Sequence, residues 1–334
     1  MKQSLFLSVL MTLSLVLACS CKEKEPVSSQ PAPAPVPAPA GPEKAALGDA
    51  APAPQPAAVT VKVLDPGAEP REKLRYRFAA GKRSDLEMVM RMAMNMTMGD
   101  TATPQIKLPG ISMSMSIDHK SIQENGALRY EFKLEGAKTL PTANVLPQVE
   151  SSVTQEINKV VGMHGFAVVD PRGMVLDADV EMPAGAPAQI SQMVEDVRQQ
   201  VRQMCAPFPE EPVGLGARWE VTMPVRTTAI SMSQVATYTL KQRDGDKLSM
   251  EVSITQNAPA QAMRAPNLPA EAEVNLSYLK SAGSGTMGID LGQLVPTSKM
   301  SMKTSMAMTV KAGGQTQNVA TDFDLEADIH PAGK

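Results

Sequence analysis

Aromatic residues are scarce: Phe, Trp and Tyr make up 3% of the 334 residues, with Trp219 the single tryptophan. Stacking platforms for bases or sugars are correspondingly few. There are three histidines, and His119, His164 and His330 fall in separate segments. The sequence holds no Gly-x-Ser-x-Gly elbow, no His-Glu-x-x-His pair and no Walker loop, so no enzymatic activity is expected. Cysteine is also limited to three, and Cys205 alone lies outside the N-terminal region. One thiol gives no internal disulfide framework, and stability must come from a packed core. Cys205 with a histidine could form a nucleophile pair, but a buried structural thiol is the expectation. Charge of one sign is lacking too. Lys and Arg number 32 against 35 Asp and Glu, for a net of -3. No basic patch stands out, which argues against a nucleic-acid partner. Gly283-Ser-Gly285-Thr-Met-Gly288 matches the dinucleotide fingerprint by letters only. That fingerprint needs a helix after it, and here Ile289, Leu291 and Leu294 lead to Pro296 without a helical run. No cofactor and no metal site are expected.

The N-terminus lacks an apolar run long enough to cross a bilayer, which takes ~20 residues. Leu5 to Leu17 is a shorter run behind Lys2 and reads as a secretory signal. Val16-Leu17-Ala18-Cys19 follows it. This segment resembles the lipobox of bacterial lipoproteins, although Leu17 is larger than the usual residue. Cys21 is a second candidate whose upstream residues fit less well. The resemblance implies that the Cys19 sulfur takes a diacylglycerol group. It also implies that the chain is cut before Cys19 and that the new amine is acylated. Several acyl chains on one residue anchor a protein stably to a membrane. Ser20 stands where an aspartate would favour inner-membrane retention, which implies an outer-membrane site facing the periplasm. From Lys22 to Ala58 the chain is rich in Pro and Ala and free of aromatics. Such a segment cannot offset its chain entropy by burial, and it serves as a semi-rigid spacer. At ~3.1 Å per residue it reaches on the order of 100 Å. The organisation read from the sequence is a signal peptide over 1–18, a lipidated cysteine and tether over 19–58, and a β-rich extracytoplasmic domain over 59–334.

Within that domain, alternation of apolar and polar residues dominates. Leu74, Tyr76 and Phe78 alternate with polar neighbours, as do Leu128, Tyr130, Phe132 and Leu134. Met88, Met90, Met92, Met94, Met96 and Met98 form a ladder in one parity, with Glu87, Arg91, Asn95 and Thr97 in the other. Met113 and Met115 alternate with serine, Met300 to Met308 repeat the pattern, and Phe323, Leu325 and Ile329 alternate with four carboxylates. Such strands bury one face and wet the other, as antiparallel sheets do. Turns are expected at Glu124-Asn125-Gly126, Asp170 to Gly173, Asp244-Gly245-Asp246 and Gly313-Gly314. Two segments instead follow a 3.6 period, Val145 to Val161 and Ile190 to Met204, the second ended by Pro207 and Pro209. The fold class expected is mainly β: a large curved antiparallel sheet or open half-barrel, with two mid-chain helices packed on its concave face.

Leu74-Arg-Tyr-Arg-Phe78, the Met ladder, Pro212-Val-Gly-Leu-Gly216-Ala-Arg-Trp219 and the acidic final strand carry a resemblance. The chain resembles an uncharacterised family of Met-rich bacterial lipoproteins, and its architecture looks like the half-barrels of periplasmic lipoprotein carriers and mycobacterial lipid-binding lipoproteins. The family brings no established activity. Methionine, at 24 residues, is the compositional anomaly. Thioethers are soft ligands that suit Cu(I), yet a thioether is chiefly a flexible hydrophobe, and Met-rich surfaces accommodate varied apolar ligands. Met88 to Met98, Met113 and Met115 are therefore the candidate apolar ligand face. The function expected is non-enzymatic binding of a hydrophobic ligand or an envelope protein. Cu(I) binding, oxidant buffering and a purely structural role stand as alternatives. Asp322, Asp324, Glu326 and Asp328 are expected to form a solvated charged face, because alternate strand residues stand ~6.6 Å apart and chelate poorly.

Overall fold

The computed structural model describes residues 59–99, 101–183, 194–201, 206–226, 229–263 and 272–333. The signal, Cys19, the tether and Cys205 lie outside the described residues. The chain forms one large, open, antiparallel sheet. In chain order the strands are β1 (Thr60–Asp65), β2 (Arg83–Met98), β3 (Thr101–Ala102), β4 (Ile106–Lys107), β5 (Gly110–Ile122) and β6 (Leu128–Leu140). After helix α1 (Pro147–Asn158) come β7 (His164–Val169) and β8 (Val175–Glu181). A short helix α2 (Val194–Val201) precedes β9 (Arg218–Arg226), β10 (Ser231–Asp244), β11 (Lys247–Ala258), β12 (Gln261–Met263), β13 (Glu273–Asp290), β14 (Thr297–Ala312) and β15 (Gln315–Pro331). Across the sheet they run β1-β9-β10-β11-β13-β14-β15-β2-β5-β6-β7-β8, with β3 and β4 hung on β2 and β12 on β13. Each of the four expected turns joins two of these strands.

The alternating pattern sets which side chains go inward. On β14, Thr304, Met306, Met308 and Val310 are buried, while Ser301 and Lys303 are exposed. On β15, Val319, Thr321 and Phe323 are buried between exposed Asp322 and Asp324. One bulge in β13, between Leu276 and Tyr278, switches its inward parity from Val274 and Leu276 to Leu279, Ser281 and Ile289. Bulges do this because two residues then oppose one on the partner strand.

Two expectations need correction. Leu74 to Phe78 was expected to be a strand, but residues 66–82 form an extended strap with no continuous ladder. Ala68 N donates to Leu215 O, Tyr76 N to Pro171 O, Arg77 N to Leu291 O and Gly81 N to His119 O. These partners lie in four different connections or strand ends, all at one end of the sheet. An extended chain keeps the period of two whether or not it has a strand partner, which is why the pattern alone misled. Leu74 and Tyr76 are buried, and Phe78 packs against the cores on both sides of the strap. The second correction concerns the helices. The expected helix over 145–161 is present as α1, burying Val153 and Ile157. At the second position the described residues include only the eight-residue α2. Ile190, Met193 and Met204 of the expected helix lie outside the described residues, whereas Val197 and Val201 are buried.

Three clusters make up the core. The first joins β2, β5, β6, β7 and β8 to α1 and α2 through Tyr130, Phe132, Leu134, Ile157 and Val197. The second surrounds Trp219, whose Nε1 donates to Pro207 O at 3.1 Å and whose ring stacks on Tyr238 at 5.6 Å. The strap crosses both. The third, at the opposite end, gathers Met94, Met96, Leu276, Leu279, Met306, Met308 and Phe323.

Candidate functional site on the inner face

The strap thus lies at one end of the inner face and the third cluster at the other. Between them the strand register lines up two rows of apolar residues. Ile254 pairs with Gly283, Gly283 with Met302, Met302 with Leu325, and Leu325 with Met92. The next row runs Val252, Gly285, Met300, Ala327 and Met90. Apart from buried Val252, these residues are only half-buried, whereas Glu251, Ser284, Ser301 and Glu326 of the opposite parity are exposed. Met302, Leu325 and Ala327 belong to none of the three clusters among the described residues. The rows thus form an apolar trough in the middle of the inner face, with Met90 and Met92 packing against the first cluster at one side and Val252, Ile254 and Met300 against the second at the other.

Its floor is kept low by glycine. A Cβ on Gly283 would sit 2.8 Å from the Ser301 carbonyl oxygen, and one on Gly285 would run into the Lys299 carbonyl and the Met300 thioether. Glycine within a strand marks such a close approach. The letters of the discarded nucleotide fingerprint thus have a structural reason, and all of them fall inside β13.

A polar belt borders the trough on the side of the third cluster. Gln234 pairs with Gln256, Gln256 with Ser281, and Ser281 with Thr304. Gln256 Nε2 donates to Gln234 Oε1 at 2.7 Å, and the Ser281 and Thr304 hydroxyls share a hydrogen bond of 2.7 Å. Gln234, Ser281 and Thr304 are 9%, 5% and 3% exposed. Thr321, beside Met306 and Met96 in the next row, is buried with an unpartnered hydroxyl. The trough and belt rows contain no Lys, Arg, Asp or Glu.

The sequence-expected ligand face is divided between these surroundings. Met90 and Met92 line the trough and also pack against the first cluster. Met88, Met113 and Met115 pack into the first cluster, and Met94, Met96 and Met98 into the third. Sequence reasoning missed Gly283, Gly285, Ser281 and the two glutamines. Their signal was present: Ser281, Gly283, Gly285 and Met287 share one parity of a strand, but glycine and serine in that parity interrupt the apolar alternation by which strands are recognised.

Elsewhere the chemistry-bearing residues stay apart. A depression of about 560 Å³ on the outer face is lined by Arg83, Arg129, Glu131, Lys133, Glu135 and Glu181, among others. Its charges are largely paired, as in Lys133–Glu135 at 2.8 Å, and Arg129 lies over the Phe166 ring at 3.9 Å. His164 stands at its rim and His330 at the end of β15. His119 is buried against Phe78 and bonded through Nδ1 to the Ala79 carbonyl at 3.0 Å. Burial lowers its pKa from the ordinary value. The carboxylates of β15 face outward, where Asp328 meets Lys299 at 3.5 Å and Asp324 meets Lys303 at 3.9 Å. No helix among the described residues is long and apolar enough to cross a membrane.

No curated protein matches the chain. Residues 189–324 match a family described as a family of unknown function, DUF6263. The match begins ahead of α2 and ends within β15 at Asp324, so it spans the trough rows on β11, β13 and β14 but leaves out Leu325 and Ala327 of β15 and the Met ladder of β2. Over residues 189–324 the chain is thus similar to a family of unknown function.

Proposed function

We propose that this chain is an envelope lipoprotein, anchored through Cys19 and held off the membrane by its Pro/Ala tether, whose trough binds a hydrophobic ligand such as an acyl chain. The observation that supports the reading is the pair of apolar rows, Ile254 to Met92 and Val252 to Met90, half-buried apart from Val252, lying between the strap and the third cluster without a charged residue. A protein core of this size normally closes over such rows, because each methylene removed from water is worth about 0.8 kcal/mol. The same figure is the driving force available to a ligand. Methionine suits the task because its unbranched thioether adapts to different shapes.

A pyrene-labelled alkane titrated into the purified domain tests this. Saturable binding that falls at least about tenfold in Met302→Glu, with the melting midpoint retained, supports the reading. A charge in the trough repels an apolar chain but can still reach solvent. Absence of saturable binding to the wild-type domain overturns it.

Cu(I) binding is a second reading, favoured by one contact: Met88 and Met113 are direct cross-strand partners. The trough methionines of β2 and β14, by contrast, are separated by β15, which puts their backbones about 10 Å apart. Copper titration of the Met88→Leu, Met113→Leu variant separates the readings. Loss of a stoichiometric site would favour copper.

A further inference from the structure

We infer that His119 is an acid-sensitive clasp for the strap: when its ring takes up a proton, residues 78–82 come away from β5 while the sheet stays folded. The inference stands apart from the trough reading and concerns the end of the inner face where the strap lies.

Three hydrogen bonds tie this part of the strap to one residue. Gly81 N donates to the His119 carbonyl and His119 N to the Lys82 carbonyl, each at 2.8 Å. The ring Nδ1 donates to the Ala79 carbonyl at 3.0 Å. A carbonyl only accepts, so Nδ1 carries the proton of the neutral ring and Nε2 the lone pair. His119 is 2% exposed, and its Nε2 is buried without a hydrogen-bond partner among the described residues. Phe78 stands against the imidazole, with ring centroids 6.4 Å apart and planes nearly perpendicular. The earlier part of the strap is held by other means. Leu74 and Tyr76 are buried in the second cluster, Tyr76 N and Arg77 N bond to Pro171 O and Leu291 O, and Arg75 pairs with Glu210 at 2.9 Å.

An added proton goes to Nε2. It creates a second N–H and a full charge in a site with no acceptor facing that nitrogen, which is far more costly than the neutral ring. The surroundings do not offset this. Lys82 of the strap opposes the charge. Asp118 of β5 favours it, but that carboxylate already faces Arg83 at 3.8 Å and Lys120 at 3.9 Å. Tyr130, the cross-strand partner on β6, and Tyr76, stacked on Phe78, stay neutral at these pH values. The charged ring gains water only by leaving its place, and it then drops the Ala79 carbonyl and its contact with Phe78. Phe78 packs against both the first and the second cluster, so its departure uncovers apolar surface of each. Burial holds the ring's pKa below the ordinary value, whereas the released ring titrates near 6.5. Opening is therefore independent of pH above about 6.5 and grows below it, up to about 30-fold at pH 5.

Amide hydrogen exchange of the purified protein tests this, followed from about pH 7.5 to pH 5 and at several low urea concentrations. The Gly81 and His119 amides are the reporters. Corrected for intrinsic exchange, their rates should rise up to about 30-fold as pH falls, with the upturn near pH 6.5. They should also run ahead of the Tyr76 and Arg77 amides and barely respond to urea, because a local opening exposes little surface. Amides of β14, which exchange through unfolding of the sheet, should accelerate steeply with urea. His119→Gln should remove the pH dependence. Three results overturn the inference: rates at Gly81 and His119 that do not rise with acid, a urea slope equal to that of β14, or a rise that persists in His119→Gln. The wild-type profile carries the test even if that variant fails to fold, since an upturn delayed to the carboxylate range, near about pH 4, assigns the opening to another group and also overturns it.

Discussion

Single residues here do work that their identity alone does not announce. Met94 and Met92 are two places apart on one strand and share a face, yet one is 3% exposed within the third cluster and the other, half-buried, lines the trough. Their reactivity should differ accordingly. Gly285 has no room for a side chain. Gly285→Ala must push the Lys299 carbonyl and Met300 aside, and a destabilisation of about 1–3 kcal/mol is expected in urea titration. A change below a few tenths would mean that β13 and β14 separate easily. His119 gives a pH dependence. Buried beside Phe78, with Lys82 and Asp118 as its charged neighbours, it is held neutral and its pKa lies below the ordinary value. As pH falls through about 6.5, the unfolded chain takes up a proton that the folded chain refuses. This group therefore lowers stability below that pH and has no effect above it. The melting midpoint should drop between about pH 7 and pH 5, and His119→Gln should flatten the drop. An unchanged slope in the variant would assign the dependence to another group.

At the scale of elements, the strands were legible and the connections were not. β2, β5, β6, β14 and β15 follow from strict alternation, because a sheet with one buried face imposes a period of two. The strap shares that period and was mistaken for a strand; only its hydrogen-bond partners, at Pro171, Leu291 and His119, tell them apart. Those partners are far away in sequence, and no local pattern encodes them. The trough was half legible. Parity identified its methionines, but the bulge after Leu276 and the register that aligns Gly283 with Met302 are properties of paired strands. Helix α2 can be tested directly. Val197 is 5% exposed within the first cluster, so Val197→Asp buries an unpaired charge and should cost at least about 2 kcal/mol. A melting midpoint within a degree or two of wild type would contradict the packing of α2. Loosening is also expected at β8, where Asp179 is held by Arg198 of α2 at 2.7 Å.

The whole molecule joins an expected membrane address to a sheet with an apolar middle. The address is the proposal tested by Cys19→Ser, which should leave the chain unprocessed or soluble; unchanged partition with membranes would contradict the anchor. The apolar middle is the central claim, and methionine oxidation reads it residue by residue. Mild peroxide treatment of the native domain, with peptide mass spectrometry, reports each thioether's access to solvent. Half-buried Met92, Met300 and Met302 should oxidise faster than buried Met94, Met96 and Met306, and a saturating pyrene-labelled alkane should slow the first group to the rate of the second. Oxidation of Met92, Met300 and Met302 at an unchanged rate in the presence of the bound probe would contradict the account, since the ligand would then lie somewhere other than the trough.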